Sequence, residues 1–550
     1  MARVVQEGQG QGHGTAAGRP NFLIFMTDQQ RADHLGCMGE RLLRTPHIDA
    51  LATGGVVMDR FYVNAPVCMP NRASLVTGRM PGAAGVRMNG VPLPLSAVTY
   101  ADALREAGYR TALIGKAHFQ NMTHAAPTAL PAEPGLPRTR QGTRDSRTGP
   151  AYERESPDAW REETSAAPGP YYGFEHTELC LEHGDQVGGD YARWLAERAP
   201  QFALKRSSPD EKTGPTPVAP QAWRTLLPVE LYPSSYVADR TEHWLRGYAA
   251  TAPADRSPFL MHCSFPDPHH PFSPPGRYWD MYQAHDVVLP ASFAAPLQGA
   301  PAHKRALHQE LHDGRRNSRG SRVIAVREDE ARQAIALNFG AISLIDDAVG
   351  RVMNSLRALD LDRNTVVVFL SDHGDFMGDH GLLFKGPLHY QSVVRTPFIW
   401  RDPQAPRTAM GRSAALASAI DLAPTLLARA GVAPWHGIQG NSLLPLFDAA
   451  TAQRACDAAL PVLIEEHSHH HIPGLPAPSI ARSLLTDRWR LSVYPGADWG
   501  ELYDLYEDPA EIRNRFDDPA LAAVRSELLW RLSQRMAALA CDLPVSMRMA

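Results

Sequence analysis

The sequence contains few cysteines for its length, and none of them has the spacing of a metal-binding or redox pair. Six cysteines are scattered over 550 residues, and no two form a Cys-x-x-Cys motif. This spacing argues against a zinc ribbon and against a disulfide scaffold. The sequence also lacks any apolar run near the ~20 residues that span a bilayer, so it predicts no membrane partner.

The chain has no large excess of charge of either sign. Its formal net charge is -4, with 21% charged and 44% hydrophobic residues. Broad nucleic-acid binding favours a strongly basic surface, so the composition predicts no nucleic-acid partner. A chain of this length buries a large core and is expected to hold more than one structural unit. The sequence leaves the oligomeric state open, and a homo-oligomer is compatible with it.

Three segments lack the apolar periodicity of helices and strands. Residues 1–20 are rich in Gly and Gln and have no apolar signal-peptide core, which predicts a disordered leader on a cytoplasmic enzyme. Residues near 125–170 are rich in Pro, Thr, Arg and Gly, and residues near 299–322 are basic and polar. Both are predicted to be loose insertions whose charges are solvated.

The remaining pattern predicts an α/β fold with a large, mostly parallel mixed sheet sandwiched by helices. Short apolar runs at 21–26 and 365–370 indicate buried strands, and helical periodicity spans 100–108, 334–352 and 414–430, with Thr99 a predicted N-cap. After about 455 the pattern indicates a smaller antiparallel sheet plus a final helix at 519–538. We therefore predict a catalytic domain over 21–455 and a C-terminal α+β subdomain over 456–550.

Two predicted strands end in acidic residues. The first is followed by Asp28-Gln29 and the second by Asp372-His373. Because the carboxyl ends of parallel strands meet at one edge of a sheet, these pairs offer oxygen and imidazole ligands to a divalent cation. Oxygen ligands suit Ca²⁺, Mg²⁺ or Mn²⁺, and an imidazole shifts the preference toward Mn²⁺ or Zn²⁺. The alternative is that each Asp caps the turn that follows its strand.

The segment CMPNR at 68–72 places a thiol two residues before a proline and four before an arginine. No histidine lies near Cys68 in the sequence to activate it as an ordinary nucleophile. One interpretation is a buried structural cysteine beside a turn proline. The other is a precursor of a modified, reactive side chain.

The chain resembles the type I sulfatases of the alkaline phosphatase superfamily from about residue 21 to about residue 519. The shared motifs occur in the family's order: TDQ at 27–29, CMPNR at 68–72, GKAH at 115–118, PHHP at 268–271, SDHG at 371–374, Lys385, DLAPTL at 421–426 and ELYDL at 501–505. The resemblance implies an alkaline phosphatase-like fold and hydrolysis of a small-molecule or saccharide sulfate ester. It also implies that a formylglycine-generating enzyme oxidises Cys68 to formylglycine.

The resemblance further implies a role for each matching residue. One divalent ion, Ca²⁺ in the first place with Mn²⁺ or Zn²⁺ as alternatives, is held by Asp28, Gln29, Cys68, Asp372 and His373. The catalytic residues that it implies are Cys68, Arg72, Lys116, His118, His269 and Lys385. Arg72, Lys116 and His118 hold the formylglycine hydrate, with His118 as the base. His269 and Lys385 bind the sulfate oxygens, with His269 as the acid, and Asn89 is a candidate polar contact.

Two departures from the common sulfatase pattern leave the substrate class open. Many sulfatases carry two adjacent acids where this chain has Asp28-Gln29, and Asp-Asn where it has Asp372-His373. The combination also resembles the phosphonate monoester hydrolases, so the alternative activity is hydrolysis of phosphonate monoesters or phosphodiesters. A binding protein that keeps the fold and a phosphoryl transferase with unmodified Cys68 are further alternatives. His183 and Asp185 are candidate substrate contacts without motif support.

Overall fold

The structure is a computed structural model that describes residues 18–123, 147–161, 169–205, 217–320, 322–405, 411–468, 471–540 and 543. The predicted leader at 1–20 lies almost wholly outside these residues, as does much of the predicted insertion at 125–170. The division into domains at residue 455 stays a prediction. In the described residues, no helix is both long and apolar enough to cross a membrane.

The strands occur throughout the chain and are numbered in chain order. They are β1 (Asn21–Thr27), β2 (Val56–Met58), β3 (Phe61–Tyr62), β4 (Arg110–Gly115), β5 (His176–Leu181), β6 (Gly188–Gly189), β7 (Phe259–Ser264), β8 (Ile324–Ala325), β9 (Thr365–Ser371), β10 (Leu382–Leu383), β11 (Phe398–Arg401), β12 (Gly411–Ser413), β13 (Ala417–Ser418), β14 (Val462–His467), β15 (Ile480–Leu485), β16 (Trp489–Val493) and β17 (Gly500–Asp504).

The α-helices lie between the strands and after them. They are α1 (Pro46–Thr53), α2 (Cys68–Thr77), α3 (Pro81–Ala84), α4 (Tyr100–Glu106), α5 (Pro157–Arg161), α6 (Asp190–Arg198), α7 (Pro200–Lys205), α8 (Pro233–Ala249), α9 (Ala302–His312), α10 (Glu328–Ala358), α11 (Gln391–Val394), α12 (Leu422–Ala430), α13 (Leu444–Phe447), α14 (Ala452–Asp457) and α15 (Ala522–Ala538).

A nine-stranded mixed sheet forms the centre of the molecule, in the order β12-β2-β11-β9-β1-β7-β4-β5-β6. The five consecutive strands from β9 to β5 run parallel to one another. The antiparallel pairs lie toward the two edges of the sheet. The predicted fold class is therefore confirmed. The parallel strands all end at the same edge of the sheet, which is where open α/β folds bind their ligands.

Strand β1 shows why this sheet carries helices on both faces. Its seven residues are all buried, and alternate side chains of a strand point to opposite faces. Leu23 and Phe25 pack into the core that includes α8 and α10, whereas Phe22 and Ile24 pack into the core that includes α2, α4 and α12. Each fully buried side chain of this kind contributes about 1.5–3 kcal/mol.

The C-terminal part forms the predicted antiparallel sheet, in the order β14-β15-β16-β17. One face carries Leu463, Leu484, Leu491 and Leu502 against Leu528 and Leu532 of α15. The residues between these leucines point to the other face and include the buried polar side chains of Ser483, Ser492, Arg490 and Glu501. The sheet therefore covers α15 on its apolar face and buries polar groups against the rest of the chain on the other.

Two local predictions are corrected by the structure. The helix predicted over 414–430 begins only at Leu422, because Ala417 and Ser418 pair with β3 and Ser418 forms a capping box with Asp421. The segment near 299–322, predicted to be a loose insertion, contains helix α9. Leu307 of α9 is fully buried in an apolar core, which explains why this basic and polar segment is helical.

Candidate active site

Four neighbouring parallel strands deliver the chemically active side chains to one edge of the sheet. Asp28 and Gln29 follow β1, Asp372 and His373 follow β9, and Lys116 and His118 follow β4. His269 lies in the loop after β7, the strand between β1 and β4. The order β9-β1-β7-β4 therefore brings together residues that are separated by up to several hundred positions in the chain.

Cys68 occupies the first position of helix α2, next to these strand ends. Its side chain is buried, with Sγ 3.1 Å from His373 Nε2 and 3.9 Å from Asp28 Oδ1. Burial raises the pKa of the Cys68 thiol, but Lys385, Lys116 and His373 outweigh it, and the pKa is lowered. Helix N-termini also favour negative charge. These charged neighbours distinguish Cys68 from a structural cysteine in an apolar core.

The ligand atoms around Cys68 are close enough to share one cation. One atom each from Asp28, Cys68, Asp372 and His373 lies within 4.8 Å of the others, and all four residues are buried. Two carboxylates, an imidazole and a sulfur or oxygen at position 68 suit a divalent metal ion. Among the described contacts, neither carboxylate caps its own turn: Asp372 Oδ1 accepts from the backbone N–H of Gln29 at 3.0 Å. The donor set fits a metal ion.

Gln29 lies in the site, but its amide already has protein partners. Its Oε1 accepts a hydrogen bond from Lys385 Nζ at 2.5 Å. Its Nε2 donates to Asp375 and lies 3.1 Å from His270 Nδ1. The backbone of Gln29 has a left-handed φ of 64°, which is uncommon for a residue other than glycine. The ligand role expected for Gln29 stays a prediction.

Arg72 connects the two acidic strand ends. It lies one turn after Cys68 in α2, and its guanidinium donates to Asp372 Oδ2 at 2.7 Å and to Asp28 Oδ2 at 3.2 Å. It also donates to the carbonyl of Lys116 at 2.8 Å and to Ser264 Oγ at 3.1 Å. Arg72 thus orients both carboxylates and the ends of β4 and β7 at once.

Two buried lysines contact the residues at the end of β1. Lys116 Nζ donates to Asp28 and contacts His183 Nε2. Lys385 Nζ contacts Gln29 Oε1 and lies 2.8 Å from His269 Nε2. Burial would raise the pKa of Asp28, but Lys116 and Arg72 hold it well below its usual range, so the carboxylate is ionised.

Two histidines of the site, His118 and His269, are held neutral by their surroundings. Burial lowers the pKa of His118 and of His269 well below the usual range, assisted by Lys116 for the first and by His183 and Lys385 for the second. His118 Nδ1 is buried and has no hydrogen-bond partner among the described residues. His269 Nδ1 contacts the carbonyl of His270, so its Nε2 is the atom that accepts from Lys385.

Asn89 lies beside the Cys68 helix and not at the metal-binding group. Its Oδ1 accepts a hydrogen bond from the backbone N–H of Met69 at 3.1 Å. The residue is partly exposed, at the side of the site where α2 begins. Its contact with a substrate stays a prediction.

Some contributors to the site carried no recognisable motif. Glu155 lies within the predicted insertion, is fully buried, and accepts from the backbone N–H groups of His118, Phe119 and Gln120. It holds the loop in which His118 adopts a left-handed φ of 54°. A glutamate in a segment without apolar periodicity gives no signal in the sequence, because the three backbone groups that it binds are 35–37 residues away.

The site carries more positive than negative charge. Three cations (Arg72, Lys116 and Lys385) face two ionisable carboxylates, Asp28 and Asp372, before any metal ion is counted. Such an arrangement binds an anionic group and stabilises charge that develops on it. Together with the group of metal-ligand atoms at the carboxyl ends of the parallel strands, it indicates a hydrolase of anionic esters.

Comparison with known proteins defines the family. The family model described as "Sulfatase" matches residues 20–432, which is more than half of the chain. A second model, described as "N-sulphoglucosamine sulphohydrolase, C-terminal", matches residues 378–538. The chain belongs to the sulfatase family and is a sulfuric ester hydrolase.

Individual relatives agree over nearly the whole length. The "Uncharacterized sulfatase YidJ" of Escherichia coli is 28% identical over 515 residues, 93% of this chain and 86% of the relative. The "Multifunctional alkaline phosphatase superfamily protein PehA" of Trinickia caryophylli is 28% identical over 538 residues, which cover 94% of this chain and 96% of the relative. The crystal structure of the phosphonate monoester hydrolase of Agrobacterium radiobacter has a TM-score of 0.74 at 24% identity, covering 97% of this chain and 98% of that one.

Proposed function

We propose that this sulfatase acts through formylglycine at position 68 together with one divalent metal ion. The observation that carries the proposal is the position of Cys68 Sγ, at a helix N-terminus and 3.1 Å from His373 Nε2, within a group of four ligand atoms. When present, formylglycine supplies a hydrate oxygen as nucleophile, and the metal ion lowers the pKa of that oxygen and neutralises charge. A formylglycine-generating enzyme is the partner that this maturation requires.

The residues of the chain divide the remaining work among them. Arg72 orients Asp28 and Asp372 as ligands through two charged hydrogen bonds. Lys116 and Lys385 place two ammonium groups beside the end of β1, where they bind the non-bridging oxygens of an anionic ester. A monoester carries negative charge before it reacts, so these cations offset the repulsion between the ester and an anionic nucleophile.

Two groups of the site are placed to accept or donate a proton: His118, and the pair formed by Lys385 and His269. His118 Nδ1 has no partner among the described residues and is held neutral, so it is the base available near position 68. On the leaving-group side, His269 Nε2 accepts from Lys385, so the proton of this pair resides on the lysine. We propose that the Lys385–His269 pair delivers this proton to the leaving oxygen. The Nε2 atom of neutral His269 carries no proton of its own, because Nδ1 holds the proton of the ring.

The first experiment tests the modification and the activity together. The full chain, co-expressed with a formylglycine-generating enzyme, is digested, and the peptide across residues 68–72 is analysed by mass spectrometry. Conversion replaces the thiol by an aldehyde and lowers the peptide mass accordingly. We expect converted protein to hydrolyse nitrophenyl sulfate and the Cys68→Ala variant to lose about 10⁴-fold or more in kcat. Turnover by protein with an unmodified thiol would disprove the formylglycine proposal.

Metal removal is a second test of the same site. Chelation should abolish turnover, and addition of Ca²⁺, Mn²⁺ or Zn²⁺ one at a time identifies the ion that restores it. Oxygen ligands favour Ca²⁺, whereas His373 favours Mn²⁺ or Zn²⁺. Full turnover after exhaustive chelation, with loss of metal verified by elemental analysis, would contradict the metal proposal.

Hydrolysis of phosphonate monoesters or phosphodiesters is the second candidate activity. It is supported by Gln29 and His373, by the 24% identical phosphonate monoester hydrolase fold, and by the word "multifunctional" in the name of PehA. Parallel assays with nitrophenyl sulfate and a phenylphosphonate ester on one converted preparation separate the two. A higher kcat/KM for the phosphonate ester than for the sulfate ester would make phosphonate hydrolysis the preferred activity. The natural ester, small molecule or saccharide, the oligomeric state and the cytoplasmic location stay predictions.

A further inference from the structure

His183 lies in a tightly held turn at the end of β5, the strand beyond β4. Glu182 and Gly184 have left-handed φ values of 68° and 53° on either side of it. A Cβ at Gly184 would lie 2.9 Å from Pro271, so only glycine fits where this turn meets the loop that carries His269. On the far side, Asp185 accepts a hydrogen bond from Trp223 Nε1 at 3.0 Å. The turn therefore places the His183 ring at a defined position.

The ring of His183 contacts two residues of the proposed site at once. Its Nε2 lies at hydrogen-bond distance from Lys116 Nζ and 3.9 Å from Asp28 Oδ2. Its plane stacks on the ring of His269, with centroids 3.5 Å apart and an interplanar angle of 13°. Because a lysine ammonium has only donors, His183 Nε2 is the acceptor in the contact with Lys116.

The two lysines have matching surroundings. Lys116 contacts a carboxylate oxygen of Asp28, at the end of β1, and the imidazole of His183. Lys385 contacts the side-chain oxygen of Gln29, the next residue after Asp28, and the imidazole of His269. The two imidazoles stack on one another, so each lysine is held between the metal-binding loop and one ring of the stack.

We infer that His183 is a positioning residue that fixes Lys116 Nζ and the ring of His269 for binding of the transferred group. This inference rests on the proposed role of Lys116 in binding the ester's oxygens. A four-carbon side chain has many rotamers, and an acceptor at its tip selects the one that points its charge into the site. The stacked ring limits rotation of His269 in the same way.

The two contacts of His183 can be separated by substitution. His183→Phe keeps a ring to stack on His269 but removes the acceptor for Lys116, whereas His183→Gln keeps an acceptor and removes the ring. We expect His183→Phe to lower kcat/KM by about 10²-fold, since misplacement of a binding group by 1 Å costs that much. His183→Gln should recover part of this loss. His176→Phe, at the start of the same strand and half-exposed, is the matched control and should keep wild-type turnover.

A double-mutant cycle tests whether His183 acts through Lys116. If it does, His183→Phe with Lys116→Met should lose no more activity than Lys116→Met alone, because there is no ammonium left to position. Losses that multiply would overturn the inference. Melting temperatures of all variants, measured in parallel, identify any that fail to fold. His183→Trp, which also keeps a ring and offers no acceptor, then replaces His183→Phe in the cycle.

Binding of sulfate provides a measurement that does not depend on turnover. Titration calorimetry of the full chain with inorganic sulfate should show about tenfold weaker binding for His183→Phe than for the wild type, and wild-type binding for His176→Phe. Equal sulfate affinity of His183→Phe and the wild type would overturn the inference even in an active enzyme. Loss of ester turnover by the wild type, with sulfate binding still sensitive to His183, would instead overturn the proposed function.

Discussion

Two fully buried arginines in this molecule lie in superficially similar surroundings. Arg72 donates to two carboxylates, Asp28 and Asp372, at 3.2 and 2.7 Å. Arg490 of the C-terminal sheet also contacts two, Glu511 and Glu501, the second at 3.4 Å. Burial and ion pairing alone therefore do not distinguish a catalytic centre from a structural ion pair.

The difference lies in what else surrounds each arginine. The guanidinium of Arg490 contacts the rings of Tyr390 and Tyr503, 4.7 and 4.6 Å from their centroids, and donates to Ser492 at 2.7 Å. Its charge therefore faces two carboxylates and two aromatic rings. Around Arg72, two lysines add positive charge that the two carboxylates do not balance. An excess of buried cations, placed beside a thiol, indicates a site for an anion.

Substitution of each arginine by methionine should separate the two roles, and we expect the largest effects here. Arg72→Met should lower kcat/KM by about 10³-fold, because both metal-binding carboxylates lose their orientation. Arg490→Met should instead lower the free energy of unfolding by about 3–5 kcal/mol, because two buried glutamates lose their partner. Urea unfolding and turnover per folded molecule measure the two quantities. A comparable loss of turnover per folded molecule in Arg490→Met would contradict the distinction.

The lysines allow the same comparison with a smaller effect. Lys385→Met removes a charge that we propose to contact the ester, and should lower kcat/KM by about 10²-fold or more. Lys304 is also buried, but its Nζ lies 3.1 Å from His380 Nδ1, in the region of Arg490 and outside the proposed site. Burial lowers the pKa of Lys304 to about 8.

Lys304→Met is therefore the matched control, since it removes a buried ammonium that lies outside the proposed site. Its turnover per folded molecule should equal that of the wild type. Steady-state kinetics with nitrophenyl sulfate, corrected for the folded fraction, measures both variants. Equal losses in the two would show that any buried cation supports activity, and would remove the contrast drawn between the two regions.

Glu466 lies between the two regions, and we expect its substitution to change the pH dependence of stability. Its carboxylate is 3.7 Å from His389 Nε2, and His389 connects through Ser483 and Ser492 to Arg490. Burial raises the pKa of Glu466 to about 8, against the opposing charge of Lys385. The native state therefore holds this proton more tightly than the unfolded chain, and its contribution to stability is lost as pH rises toward 8.

Glu466→Gln tests this dependence. The wild type should lose up to about 1.4 kcal/mol per pH unit from this group between the ordinary glutamate pKa and about pH 8, and the variant should lack that slope. Urea unfolding at pH 5 and pH 9 measures the difference. The neighbouring Glu465, paired with Arg482 at 3.5 Å, provides the control: Glu465→Gln should keep the wild-type slope. An identical slope in Glu466→Gln would contradict the assignment.

The fold was largely predictable because its strongest signals are local. The apolar runs of β1 and β9 are fully buried. Thr99 is the N-cap of α4 as predicted, and the structure adds a capping box with Asp102. Helix α9 was missed because its burial depends on distant partners. His303, for example, is buried 3.5 Å from Glu501, nearly two hundred residues away. The charged residues of α9 therefore predict a solvated loop, whereas the structure has a partly buried helix there.

The sequence by itself determined the reactive residue types and their order. The thiol at 68, the acidic strand ends at 28 and 372, and the cations at 72, 116 and 385 follow from motifs a few residues long. The tertiary structure alone decided the pairings among them. Lys385 meets Gln29 across 356 positions and Lys116 meets His183 across 67. The physical reason is that periodicity and turn chemistry act over a few residues, whereas such contacts depend on the order in which parallel strands assemble.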